Sequence, residues 1–403
     1  MLYKRTRLFV HFNLTNFFQI LKNFLLNKKN FPEHLKDFLK TKNLVLTSLG
    51  RTALYEIIKI IIKKKNKNTF FIAPYTIPAV IHSIIYAGGK IKYIDINKIT
   101  GLIDEESLEK KINGDSAGVI ITHLYSNKKN IENFISRFNK KIYIIEDAAI
   151  NFGAKIDNKY LGTLTDFGFF SFAMVKNLNT FTGGAIYIKD DEIFKNINFN
   201  LKLKKFPKSK SLNLLFTAIF IKLFFNNYSY QLMHYFLKYV YLKKIKLILK
   251  KIYPVLFHKL ENKIPEVYNY DFNWLMNDVG IYNLKKVNRE IKERIDKAKL
   301  FYLNIKDDVA IKSDCFNGEN ALLEFPIILK NISNKEAHSK LMTAGYDVRH
   351  TWYINNVKEQ NNFKDIDFKD TNIVEEKILC LPIHKNINQR DIIKISSIIN
   401  TFY

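Results

Sequence analysis

The sequence predicts an α/β protein: a large domain with a mostly parallel sheet flanked by helices, a small C-terminal α+β domain, and a helical basic insert between them. Three observations carry this expectation. From residue 44 to about 190, apolar runs of strand length alternate with helical apolar patterns, as in a parallel sheet covered by helices on both faces. Around residue 200 that rhythm breaks into a stretch rich in lysine and aromatic residues, and from about 266 a mixed α and β pattern resumes. The chain of 403 residues, 47% of them hydrophobic, can bury more than one core. The expected boundaries are 1–30 for an N-terminal amphipathic helix, 31–199 for the large domain, 200–264 for the insert and 265–403 for the C-terminal part.

The N-terminus, "MLYKRTRLFVHFNLTNFFQILKNFLL", has Leu14, Phe17, Phe18, Leu21, Phe24 and Leu25 at helical spacing. His11, Asn13, Asn16, Gln19, Lys22 and Asn23 interrupt the apolar run and no small-residue cleavage site follows, so an amphipathic helix is expected rather than a signal peptide. "TFFIAP", "KIKYIDI", "AGVIITHLY", "KIYIIED", "FGFFSFA" and "GGAIYIK" read as strands, and "TALYEIIKIIIKK", "IPAVIHSIIYAGG" and "NIENFISRFNKK" as helices. Towards the C-terminus "ALLEFPIIL", "YDVRHTWY" and "KILCLPIH" read as strands, with "NKEAHSKLMTAG" and "QRDIIKISSIINTF" as helices. Two cysteines, Cys315 and Cys380, form neither a disulfide framework nor a metal-ligand cluster, which points to a reducing cytoplasm.

Three local features converge on one chemistry. "KIYIIEDAA" is a strand that ends in Glu146 and Asp147, at the carboxyl edge where sheets of this kind bind ligands. A carboxylate there needs a partner, and capping the next helix is as good a use for it as ligand binding. "SLGRTAL" supplies a turn and a helix N-terminus, whose amides and dipole attract an anion such as phosphate. "SFAMVKNLNTFTGGA" places Lys176 between a strand and a Thr/Gly-rich turn. A phosphate at Gly50, Arg51 and Thr52, Asp147 against a protonated ring nitrogen, and Lys176 as an imine-forming amine together suit pyridoxal phosphate.

"SLGRTAL", "APYTIPAVIHSIIYAGGKIKYIDI", "THLYS", "IEDAA", "GTLTDFGFFSF" and "VKNL" also follow one another in the order and spacing of a known family. The chain resembles the DegT/DnrJ/StrS sugar aminotransferases, pyridoxal-phosphate enzymes of aminotransferase fold type I. The likeness covers about 30 to 190 and 266 to 403, where "FNWLMNDVGIYNL", "YDVRHTWY" and "LPIH" match more weakly. The resemblance implies that Lys176 is the Schiff-base lysine, Asp147 the acid paired with the pyridine nitrogen, and Ser171 a phosphate-binding serine. It implies that Asn273 reaches the neighbouring subunit's cofactor, hence a homodimer with shared sites. His123 and Tyr125 match a pocket-wall motif. The chain departs from the family at Ile77 and Pro78, where an aromatic ring usually stacks on the cofactor, at Ile150 and Asn151, where a Gln or His is common, and at Leu275, commonly Arg. In the related sugar dehydratases a histidine replaces the lysine, so Lys176 favours amino transfer.

The resemblance implies a nucleotide-linked keto sugar as acceptor, glutamate as amino donor and a role in cell-surface polysaccharide biosynthesis. The alternative is a catalytically reduced relative that binds cofactor or nucleotide sugar in a regulatory or scaffolding role. Residues 200–264 carry fourteen lysines against one acid, Glu261, which is half of the chain's net charge of +26. In "YLKKIKLILKKIY", Ile245, Ile248, Leu249 and Ile252 share one helical face and Lys243, Lys246 and Lys250 another. That is the pattern of an interfacial helix, so one reading is peripheral contact of a cytoplasmic enzyme with the inner membrane face. The competing reading packs these apolar faces on the body or across a dimer. No zinc-finger, helix-turn-helix or RNP-type motif supports a nucleic-acid partner, and no run of about 18 apolar residues could span a bilayer.

Overall fold

Seven strands form the central sheet: β1 (Leu44–Thr47), β2 (Thr69–Ile72), β3 (Lys90–Tyr93), β4 (Ser116–Thr122), β5 (Tyr143–Asp147), β6 (Phe167–Ser171) and β7 (Gly184–Ile188). Their order is β1-β7-β6-β5-β4-β2-β3. All run the same way except β7, which is antiparallel to both its neighbours. The computed structural model describes residues 5–6, 14–26, 28–200, 203–224, 235, 239, 263–313, 320–357 and 367–402. The segment "YLKKIKLILKKIY" and Cys315 lie outside the described residues.

Strand periodicity explains why these runs are apolar on both faces. Val119, Ile121, Ile144 and Phe170 enter one core, while Ile120, Ile145 and Phe169, one position away, enter the other. The helix Gly50–Lys65 covers the second face through Ala53, Leu54, Ile57, Ile58 and Ile61, each fully buried. Burial of one such leucine or isoleucine contributes about 1.5–3 kcal/mol, so the helix is held by this stripe more than by its intrinsic propensity. β1 was not among the expected strands. "LVLT" is only four residues long, and its pairing with β7, rather than any internal pattern, makes it a strand.

In the C-terminal part, β8 (Ala310–Lys312), β9 (Glu324–Leu329) and β10 (Ile378–Pro382) form an antiparallel sheet in that order. The helices Val287–Asn304 and Gln389–Ile399 pack against each other. The second begins in a capping box, Asn388 with Asp391. "YDVRHTWY" corrects the sequence reading, because it forms no regular strand. Only Arg349 exchanges backbone hydrogen bonds with β10, at Cys380 (2.8 and 3.3 Å). The N–H groups of Trp352 and Tyr353 instead donate to the Tyr75 hydroxyl (3.3 and 3.4 Å), and Ile354–Asn355 then pairs with Tyr75–Thr76 of the large part. This tie carries residues 349–353 to the end of the central sheet.

Candidate active site

The two acids that end β5 have separate fates. Glu146 is fully buried and accepts from the N–H groups of Gly162 (2.7 Å), Leu164 (2.7 Å) and Thr165 (2.8 Å) and from the Thr165 hydroxyl (3.1 Å). Nε2 of His123 lies 2.9 Å from its Oε2. Glu146 therefore holds the loop that precedes β6. This loop approaches β6 so closely that a Cβ on Gly168 would lie 2.0 Å from the Gly162 carbonyl. Asp147 is buried with far less support: the Ala149 N–H at 3.0 Å and the Thr122 side chain. Burial pushes its carboxyl above the usual range, against the pull of the Ala149 N–H and the nearby Lys176 and His123.

Lys176 follows β6 in a turn closed by its own N–H to the Ala173 carbonyl (2.9 Å). Part of the side chain stays accessible, but the amine lies deep enough that desolvation dominates its protonation. Burial lowers its pKa to about 8, opposed by the Asp147 carboxyl, with Arg349 lowering it further and Glu324 raising it. Arg349 is oriented by Glu324, its Nε lying 3.1 and 2.8 Å from the two carboxyl oxygens, and Trp352 Nε1 donates to the same group at 2.6 Å. Burial, and then Asp147, push the Tyr353 hydroxyl well above the usual tyrosine range. Tyr75 shares a 2.9 Å hydrogen bond with Thr351 and steadies this segment.

On the neighbouring strand end, Gly50 abuts Ser171, since a Cβ on Gly50 would lie 2.9 Å from Ser171 Cβ. The helix that starts at Gly50 has no side-chain cap at Leu49, and its first internal hydrogen bond is Ala53 N–H to the Leu49 carbonyl (3.1 Å). The amides of Gly50, Arg51 and Thr52 precede that bond and face an anion's natural position. Ser171, half-buried, makes no side-chain hydrogen bond among the described residues. Thr52 can offer only its amide, because its hydroxyl is buried against Ser48 Oγ (3.1 Å) and the Val267 carbonyl (3.3 Å). The Arg51 guanidinium acts on the Tyr268 hydroxyl. An uncapped helix end, an unengaged serine hydroxyl, a carboxyl short of donors and a desolvated amine together fit pyridoxal phosphate.

The remaining positions sort differently. Asn273 is buried against the helix Lys208–Phe224: its Oδ1 accepts from Ser211 at 3.1 Å, and its Nδ2 has no partner. No described contact joins it to Lys176 or Asp147. His123 keeps Nδ1 buried without a partner, and the Tyr125 hydroxyl donates to the Lys98 carbonyl at 3.0 Å while its ring stacks on Trp352. Ile150 is buried and Ile77 and Leu275 are partly buried. Sequence reasoning missed Arg349, Glu324 and Tyr353. A charged residue inside the apolar, aromatic "YDVRHTWY" was the available signal.

Among solved structures, Escherichia coli GDP-4-keto-6-deoxy-D-mannose-3-dehydratase with bound hydrated PLP matches with a TM-score of 0.73 at 17% identity, over 100% of both chains. The architecture is therefore that of aminotransferase fold type I. Residues 21–212 match the model of the DegT/DnrJ/EryC1/StrS aminotransferase family. A UDP-4-amino-4,6-dideoxy-N-acetyl-beta-L-altrosamine transaminase of Campylobacter jejuni is 31% identical over 172 residues, 41% of this chain and 45% of that protein. The GDP-4-keto-6-deoxy-D-mannose 3-dehydratase of Escherichia coli O55:H7 is 25% identical over 344 residues, 83% of this chain and 80% of that protein. The chain thus spans under half the length of the first of these two relatives.

Proposed function

We propose that this chain is a pyridoxal-phosphate-dependent aminotransferase that moves an amino group from glutamate to a nucleotide-linked keto sugar for cell-surface polysaccharide. The observation that carries the reading is the pairing of Lys176, its amine brought by burial to a pKa of about 8, with the under-supported carboxyl of Asp147. Pyridoxal phosphate, when bound, supplies an aldehyde that condenses with amines and a protonated ring that takes up carbanion charge. Lys176 would hold that aldehyde and, once released from it, take and return a proton at Nζ. Both roles need a neutral amine, and desolvation keeps a working fraction neutral near physiological pH. Asp147 would keep the proton on the ring nitrogen. The amides of Gly50 to Thr52 and the Ser171 hydroxyl would hold the phosphate.

The transaminase and dehydratase relatives act on UDP- and GDP-linked sugars by their names, which supports a nucleotide-sugar acceptor here. The same reading makes the enzyme a cytoplasmic homodimer in which Asn273 serves the partner's site, with residues 200–264 against the inner membrane face. Dehydration is a second reading, favoured by the dehydratase likeness over 83% of the chain. The lysine at position 176 argues against it, because the family resemblance implies a histidine at this position in the dehydratases. Purified protein should be yellow, lose that colour on borohydride reduction with a pyridoxyl group mapped to Lys176, and yield 2-oxoglutarate from glutamate with a UDP-, dTDP- or GDP-linked keto sugar. Label on another lysine sinks the site. Cofactor without turnover supports the catalytically reduced alternative, and loss of a sugar hydroxyl without amination supports dehydration.

A further inference from the structure

The pairing of Ile354–Asn355 with Tyr75–Thr76 gathers three aromatic side chains at this end of the sheet, Tyr75, Trp352 and Tyr353, and two of them are engaged. Trp352 Nε1 donates to Glu324 at 2.6 Å, and its ring stacks on Tyr125. The Tyr75 hydroxyl shares a 2.9 Å hydrogen bond with Thr351 and accepts from the N–H groups of Trp352 and Tyr353. Tyr353 differs from both. It is buried, only 7% exposed, and its hydroxyl makes no hydrogen bond among the described residues although it lies within the field of Asp147 and of Arg349. A buried phenol without a partner, beside the acid assigned to the cofactor's ring nitrogen, is placed where a ligand would meet it.

Strand register sets Tyr353 opposite Ile77. Ile354 pairs with Thr76 and Asn355 with Tyr75, antiparallel, and the Asn356 N–H donates to the Pro74 carbonyl (3.1 Å) in the same register. Ile77 continues its segment in an extended conformation, φ −85° and ψ 144°, so the next pair along is Ile77 with Tyr353. Alternation then puts Tyr75, Ile77 and Tyr353 on one face, and the Tyr75 and Tyr353 rings do meet there, their centroids 5.5 Å apart. Ile77 is aliphatic and partly buried, at the position where the family resemblance implies an aromatic ring on the cofactor. A protonated pyridine ring is positively charged and poor in π-electrons, so a phenol suits its face better than an isoleucine does. We propose that Tyr353, carried from the C-terminal part to the position opposite Ile77, supplies the aromatic wall against the cofactor ring that Ile77 does not. This inference rests on the pyridoxal-phosphate reading of Lys176 and Asp147.

The test is titration of the cofactor-free full chain with pyridoxal phosphate, followed by visible absorbance and by circular dichroism of the bound chromophore. Tyr353→Leu should weaken binding about tenfold and reduce the visible dichroism, whereas Tyr353→Phe, which keeps the ring, should stay within about twofold of wild type. Ile77→Phe added to Tyr353→Leu should recover most of the lost affinity, because the new ring grows from the opposite member of the same pair. Tyr353→pentafluorophenylalanine keeps the ring's size and reverses its charge distribution, so it should bind severalfold more weakly than Tyr353→Phe, and it decides the matter where Tyr353→Leu does not fold. Equal affinity and dichroism in wild type and Tyr353→Leu overturn the proposal. So do a loss in Tyr353→Phe as large as that in Tyr353→Leu, a fluorinated ring that binds like phenylalanine, or a Tyr353→Leu defect that Ile77→Phe leaves unrelieved. Cofactor bound on Lys176 with position 353 indifferent fails this inference alone, and wild-type protein that takes up no cofactor overturns the activity reading with it.

Discussion

Glu146 and Asp147 are neighbours at the end of one strand, yet one is surrounded by donors and the other is left short of them. Three amides, a hydroxyl and an imidazole gather on Glu146, whereas Asp147 has one amide, one threonine and the field of a lysine. A buried carboxyl fully supplied by the protein is a fastener. One that the protein under-supplies is held in a costly state that a ligand can relieve, and this is where function is to be sought.

Glu146→Ala is the harshest break of this comparison. It leaves three amides, two of them buried, without an acceptor and should cost about 3–5 kcal/mol, read from the urea midpoint of the cofactor-free protein. Asp147→Asn should leave that midpoint unchanged or raise it, because the folded-state pKa of Asp147 lies above its unfolded value. For such a group the ionised form disfavours the fold, so its contribution falls as pH rises from the unfolded pKa through the folded one. The same variant should slow proton transfer in the glutamate half-reaction by about 100-fold or more in stopped flow, with a smaller loss of cofactor affinity. If Asp147→Asn unfolds the protein and Glu146→Ala does not, the assignment of the two acids is reversed.

Lys176 sharpens the contrast at smaller amplitude. Its reactivity towards an amine reagent in the cofactor-free protein should rise through about pH 8. Asp147→Asn removes the carboxyl that raises this pKa, so the midpoint should fall further. Arg349→Ala removes a cation that lowers it, so the midpoint should rise. The smallest effect belongs to Thr52→Val, whose hydroxyl is turned to Ser48 and the Val267 carbonyl. Cofactor affinity, from titration of the yellow form, should change by less than about twofold, whereas Ser171→Ala should lose about tenfold.

Most strands of the central sheet, and the approach of Asp147 and Lys176 to its edge, were legible because they rest on local periodicity and on the rule that such sheets bind ligands beyond their carboxyl ends, whereas Ser171 came from the family resemblance. "YDVRHTWY" misled for a physical reason: β-branched and aromatic residues read as strand, but whether their amides meet a strand or the Tyr75 hydroxyl depends on what lies opposite.

By itself the sequence determined that an amphipathic helix lies within residues 1–30 and that residues 200–264 are basic and apolar together. A period of 3.6 residues fixes which side chains share a face. It says nothing of which face the body accepts, because that choice compares the burial of Phe18 and Leu25 with the hydrogen bonds Asn23 finds at Trp274. Only the tertiary structure decided that the asparagines go in and the apolar stripe stays out. In the same way only the folded chain brought Arg349 and Glu324, over a hundred residues downstream, to Lys176. Arg349 is held by the pairing of Ile354–Asn355 with Tyr75–Thr76 and Glu324 by the pairing of β9 with β10, long-range contacts with no local signature.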